Sequence, residues 1–204
     1  MGLISQIVNK VNCGATEQMG TGTAFCPMDI NVPKVAVLIK KGLKISTSVE
    51  FNLAYVQELQ QKGLAVVLNG IVSFTDNTPT NETATRESTG IKYTTMKAPY
   101  ELQLVFDNGL WFHKALDKFE SSTQWDIMLF DIKNDLFGSL DRQGNFRGLD
   151  CVYMSVENYK IGKENAQMLN FQIDRADFDN NVAWIANEEL DFTAAQDLDG
   201  YNDV

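Results

Sequence analysis

Residues 99–132 leave the chain few choices of fold. Tyr100, Leu102, Leu104 and Phe106 alternate with Glu101, Gln103 and Val105, the two-residue period of a strand with one face in a core. Asp107–Asn108–Gly109 interrupts the alternation. Phe112, Ala115, Leu116 and Phe119 then recur at helical spacing, so the next element is a helix with an apolar stripe that must cover a sheet. Trp125–Ile132 (WDIMLFDI) follows with apolar side chains on both faces. Such a strand belongs in the middle of a sheet or at an interface.

The wider unit, Gly90 to Arg175, reads as strand, helix, strand, hairpin, strand, strand. Leu136–Leu140 leads into the Asp141–Asn145 turn, where Gly144 supplies positive φ, and Asp150–Glu157 and Asn165–Asp174 are further strands. Upstream, Val35–Ile39 and Leu64–Leu68 are short apolar runs expected to be strands, and Leu43–Ser46 continues one or begins another. Residues 49–62 form a second helix, polar-capped by Ser46–Thr47–Ser48, lined by Leu53, Val56 and Leu59 and closed by Gly63. Ile71–Phe74 continues the Leu64–Leu68 run or pairs with it across Asn69–Gly70, a preferred two-residue turn. The expected fold is α+β and mainly β. It is an antiparallel β-sandwich or barrel with one principal helix at about 108–120.

Three segments flank this core. LISQIVNKV (3–11) places Ile4, Ile7, Val8 and Val11 on one side of a short helix, and residues 13–33 are an extended loop. These make residues 1–34 an N-terminal arm, ahead of a core at 35–190. Within the core, residues 75–90 form a long loop with six threonines and no large apolar residue. A loop of this length is functional or mobile. Asp177–Asn181 is a polar break, VAWIANEEL (182–190) is a short strand or helix anchored by Trp184 and Ile185, and residues 191–204 are an acidic tail with Phe192, Leu198 and Tyr201 as apolar points.

Charge excludes some functions. The net charge is −10, and residues 176–204 carry eight carboxylates without a Lys, Arg or His, leaving only −2 on the other 175 residues. A cationic groove that neutralises phosphates is not expected. An acidic wall past which DNA slides without sticking is compatible with this balance. No apolar run approaches the length of a membrane span, and the start of the chain does not resemble a secretory signal. Gln6 stands where myristoylation requires Ser or Thr.

Chemistry is sparse. Cys13, Cys26 and Cys151 form no close pair and His113 is the single histidine, so no zinc site is assigned and the cysteines are expected to be reduced. The GTGT piece at Gly20–Thr23 lacks the rest of a phosphate-binding loop. Asn81–Glu82–Thr83 fits a glycosylation sequon, without functional weight in a chain lacking a secretory signal. The turn carboxylates Asp131, Asp135 and Asp141, with Asn134 and Asn145, and the Asp197–Asp203 stretch miss calcium-loop spacing. His113 lies one position off the apolar stripe and reads as a helix-surface or boundary residue. No catalytic, cofactor-binding or metal residue is assigned, and an enzyme is not expected.

The arm, the β-rich core, the Thr/Asn-rich loop and a single principal helix between strands together resemble the tail-tube fold of bacteriophage tail-tube, tail-terminator and neck-ring proteins. GIKYTTMKAPYELQLVFDNGLWFHKAL (90–116) and FQIDRADFDNNVAWI (171–185) are similar to virion structural proteins of crAss-like phages of gut Bacteroidetes. The resemblance implies a homo-oligomeric ring or short tube in a virion tail or head–tail connector, assembled in the host cytoplasm with other virion proteins. DNA would pass through it without specific binding, with no membrane and no catalytic set. Arms and loops in such rings order against neighbours. The candidate inter-subunit contacts are therefore Ile4, Ile7, Val8 and Val11 in the arm, Thr80, Thr83 and Thr85 in the loop, and Phe192, Leu198 and Tyr201 in the tail. The alternative is a capsid decoration or carbohydrate-binding β-sandwich module, for which Trp125, Phe130, Tyr153 and Tyr159 would group on one exposed face.

Overall fold

The computed structural model describes residues 7–9, 32–46, 49, 51–132, 135–159 and 167–186. It is an antiparallel two-sheet sandwich with a helix on its outer side and a second helix at one end. The larger sheet contains β1 (Ile7–Asn9), β2 (Pro33–Lys40), β3 (Ala65–Leu68), β8 (Trp125–Asp131), β9 (Asp135–Leu140), β10 (Phe146–Arg147) and β13 (Val182–Ala186), in the order β1-β13-β9-β8-β2-β3, with β10 also on β9. The smaller sheet contains β4 (Ile71–Asp76), β7 (Tyr100–Phe106), β11 (Cys151–Val156) and β12 (Gln167–Ile173), in the order β11-β12-β7-β4. A separate two-stranded ribbon is made of β5 (Glu82–Thr85) and β6 (Lys92–Met96). Among the described residues neither sheet closes into a barrel.

The two-faced strands explain the layering. In β2 and β8 the register pairs Leu38 with Ile127 and Ala36 with Leu129 toward one side, and Val37 with Met128 and Val35 with Phe130 toward the other. The first set joins Leu104, Phe106, Phe171 and Met154 of the smaller sheet in the inter-sheet core. The second set packs with Phe51, Val56 and Leu59 on the outer side. Those last two belong to α1 (Leu53–Gln61), whose first turn is capped by Asn52 Oδ1 accepting from Tyr55 N at 3.0 Å. Helix α1 is therefore shorter than the expected 49–62, and its cap is Asn52, because that is the side chain placed to satisfy an otherwise unpaired N–H.

The principal helix is α2 (Gly109–Leu116), which tightens into a 3-10 turn over Asp117–Phe119. Phe112, Ala115, Leu116 and Phe119 are all buried in the inter-sheet core, and the Phe112 ring lies 5.0 Å from that of Phe106. Together these turns account for the expected helix at about 108–120.

Asn69–Gly70 does not make a hairpin. Strand β3 lies in the larger sheet, whereas β4 pairs with β7 in the smaller one, so the dipeptide carries the chain between sheets. Gly70 has φ +76°, and a Cβ there would stand 2.2 Å from Asn108 Oδ1. Asn108 occupies that space and donates from Nδ2 to Asn69 O at 2.8 Å. This asparagine thus locks the crossing to the start of α2 without capping the helix with its side chain.

Three further expectations change. Residues 7–9 are a strand paired with β13, Ile7 opposite Ile185 and Val8 opposite Trp184, because a free sheet edge offers more backbone bonds than an isolated short helix can make. Residues 75–90 are not one loop: they hold the end of β4, all of β5 and a turn, with Gly90 at φ +68°. The threonines there suit a strand, which tolerates β-branching. Asp177–Asn181 lies in α3 (Arg175–Asn181), where Asp174 Oδ1 accepts from Asp177 N at 2.7 Å as an N-cap. No helix among the described residues is long and apolar enough to cross a membrane.

Gly138 in β9 shows how closely β10 packs on its neighbour in the larger sheet. A Cβ there would stand 2.5 Å from Arg147 O and 2.6 Å from Phe146 Cζ, and Phe146 is fully buried. Gly138→Ala is expected to destabilise the fold by roughly 1–3 kcal/mol, the usual cost of overpacking. A chemical-denaturation midpoint that falls at unchanged slope checks it.

Candidate interaction surface

Beyond Asp76 the β4–β7 pair keeps going. Asn77 N donates to Glu101 O at 2.8 Å, Glu101 N donates to Thr78 Oγ1 at 3.1 Å, and Ala98 N donates to Asn81 Oδ1 at 3.2 Å. Glu82 then faces Met96, and the ladder resumes as β5–β6. The ribbon is thus an overhang of the smaller sheet, with Pro79 and Pro99 at its root. Arg175 fastens that root: its Nη1 donates to Asn81 Oδ1 at 2.9 Å and to Ala98 O at 3.2 Å, and its guanidinium sits 5.0 Å from the centre of the Tyr100 ring.

Past the root nothing covers the ribbon among the described residues. Every residue of β6 is exposed, Tyr93 by 51% and Met96 by 56%, and so is Ile91 just before it, by 63%. Thr80, Thr83 and Thr85 are also exposed. An isolated two-stranded ribbon is marginal in water, so these apolar groups form a candidate interaction surface.

The remaining predicted contacts fall elsewhere. Ile7 and Val8 lie in β1, whose backbone pairs with this chain's own β13. Ile4, Val11, Phe192, Leu198 and Tyr201 lie outside the described residues. Sequence reasoning missed Ile91, Tyr93 and Met96: only Ile91 and Tyr93 stand at the two-residue spacing of a strand face, and Met96 falls out of that phase.

Other chemistry-bearing groups serve the fold. His113 is buried, not on the surface: its ring lies 5.5 Å from that of Tyr159 and its Nε2 is 3.5 Å from Asp117 Oδ1. It is buried because α2 packs deeper at one end of the sandwich than its stripe implied. No hydroxyl or thiol among the described residues bonds to the imidazole. Cys151 is buried and its thiol donates to Tyr153 O at 3.2 Å; burial pushes its pKa up to about 12, against smaller downward pulls from the Tyr153 backbone and from Lys41. It is therefore not a thiolate nucleophile at neutral pH. No cluster of three or more potential metal ligands occurs among the described residues.

Not all of the acidic C-terminal charge is free. Asp177 is buried, ion-paired to Arg147 Nη2, and accepts from Ser139 Oγ at 3.1 Å. Asp179 accepts from Tyr100 Oη at 2.9 Å and faces Arg175.

The exposed face of the smaller sheet is polar. Gln103 Nε2 donates to Asn170 Oδ1 at 2.8 Å and Gln172 Nε2 donates to Glu101 Oε1 at 2.6 Å, beside a hollow of about 400 Å3 edged by Tyr153. Tyr153 is the one aromatic of the four named above on this face. Phe130 is fully buried, Trp125 packs on Phe119, and Tyr159 packs on His113. Comparison with protein-family models and with curated proteins finds no match.

The Asp141 turn gives a pH-dependent test of how its carboxylate is used. Asp141 Oδ1 accepts from Gln143 N and Asn145 N, each at 2.8 Å, and Oδ2 accepts from Asn145 Nδ2 at 3.0 Å and Lys44 Nζ at 2.8 Å. Desolvation pulls this acid upward, but the Lys44 and Asn145 bonds outweigh it and hold it well below the ordinary carboxylate range. Its stabilising effect is therefore full above the unfolded-state pKa and fades as pH falls below about 4. Asp141→Asn would turn an amide against Lys44 and Asn145. Thermal melts should fall by roughly 2–4 °C at pH 7, about 1 kcal/mol in a chain of this size, and the gap should narrow at pH 3.

Proposed function

We propose that the protein is a non-enzymatic structural component of a bacteriophage virion. It assembles into a ring or short tube in the tail or head–tail connector, and DNA passes through without specific binding. The observation that carries this reading is the overhanging ribbon, whose exposed Ile91, Tyr93 and Met96 need a partner to cover them. The resemblance of residues 90–116 and 171–185 to virion structural proteins supplies the identity of the assembly. The charge of −10 suits a lumen that does not retain a polyanion.

A capsid-decoration or carbohydrate-binding module is the second reading. It draws on the polar hollow beside Tyr153. The dispersal of Trp125, Phe130 and Tyr159 away from that face takes away the aromatic platform it needs, so the ring is preferred.

Sedimentation velocity over a wide concentration range is expected to show a discrete oligomer, and electron microscopy of that species annular particles. Duplex DNA should keep its free mobility when mixed with the protein at low ionic strength, where any phosphate contact would be strongest. A protein that stays monomeric at high concentration and in purified particles overturns the ring.

A further inference from the structure

We infer that the β5–β6 ribbon of one copy docks along the free edge of β4 in a second copy, with β6 adding to the smaller sheet. This contact rests on the ring reading and specifies which surfaces meet.

The smaller sheet has two edges, and the chain treats them differently. The β11 edge is closed. Ser121 N donates to Met154 O at 2.9 Å, the Glu120 carboxylate accepts from Val156 N, and Lys41 Nζ donates to Cys151 O at 2.9 Å. The β4 edge is open: β4 pairs with β7 on one side, and no strand lies on the other among the described residues. Four of its six residues are exposed, including Val72 by 60%. Open edges of this kind are templates for another strand.

The ribbon supplies a strand of matching character. IVSFTD in β4 and KYTTM in β6 are both rich in β-branched and aromatic residues. The outer edge of β6 carries no strand among the described residues. Charge is complementary: residues 91–97 hold Lys92 and Lys97 and no carboxylate, and residues 71–77 hold Asp76 and no Lys or Arg. Lys97 already lies 3.9 Å from Asp179; Lys92 has no ion-pair partner among the described residues.

A chain cannot satisfy its own edge this way. The ribbon continues the β4–β7 pair past its end, so it lies beyond β4 and not beside it. Donor and acceptor are different surfaces on each copy, and a second copy of this chain is the occupant that presents both. Repetition of such a contact generates a ring when the rotation closes.

The test uses two full-length variants. One removes the apolar cover of the ribbon (Ile91→Ser, Tyr93→Ser, Met96→Ser). The other blunts the β4 edge with charge (Val72→Lys, Thr75→Lys). Circular dichroism and thermal melts establish that both fold, and a copy with residues 83–95 replaced by a short Gly-Ser turn repeats the first arm by an independent route. Each variant alone should associate roughly tenfold or more weakly than the wild type. Mixed in equal amounts, they should form a one-to-one dimer and nothing larger, because only one functional contact can form. Folded variants that assemble like the wild type overturn the inference and leave the ring standing. A wild-type dimer lost in either variant but recovered in the mixture keeps this contact, as a reciprocal pair, and overturns the ring. A wild-type monomer overturns both.

Discussion

A strand that is apolar on both faces cannot end at a single sheet. Val35, Val37, Met128 and Phe130 on one side and Leu38, Ile127 and Leu129 on the other are all fully or almost fully buried, so the sheet they build must be covered twice. Helix α1 provides one cover and the smaller sheet the other. The remaining architecture follows from holding those covers in place. The crossing at Asn69–Gly70 transfers the chain to the second layer, and α2 plugs one end of the inter-sheet core with Phe112, Leu116 and Phe119.

Several of the polar groups taken into this arrangement form connected sets. Arg147, Asp177 and Ser139 form one connected set. Lys41 links β2 to β11 through Asp150 Oδ1 at 2.6 Å and Cys151 O at 2.9 Å. Asp126 beside it accepts from Gly42 N at 3.2 Å, and burial raises its pKa against the opposing pull of that bond and of Lys41. Such groups are costly when isolated, and a removed partner costs more than the pair contributes. They act more to fix which elements meet than to add stability.

Local periodicity carried much of this. The faces of β7 and β8 and the stripe of α2 were legible because each rests on side-chain spacing within one element. What failed depended on distant partners. Asn69–Gly70 has the chemistry of a hairpin turn, yet Asn108, 39 positions away, decides its use. The apolar spacing at 3–11 suits a helix, but β13 offers residues 7–9 a ladder. The threonine stretch looked like loop because none of its residues enters a core; a strand that projects from the domain has no buried face to betray it. That same property hid the candidate interaction surface: Ile91, Tyr93 and Met96 are unremarkable by count and become informative only when seen to be uncovered.

The root of the ribbon has a mechanical meaning. Pro79 and Pro99 cannot donate backbone hydrogen bonds, and between Asn77 and Glu82 the two chains are joined through the side chains of Thr78 and Asn81. The backbone ladder is therefore interrupted between sandwich and overhang. What couples the overhang to β4 and β7 at this seam is side-chain bonds and the Arg175 clamp, not a continuous ladder. Residues inserted or deleted in pairs beyond the seam keep the alternation of faces and leave the sandwich register untouched. The length of the overhang is thus free to vary without repacking the core.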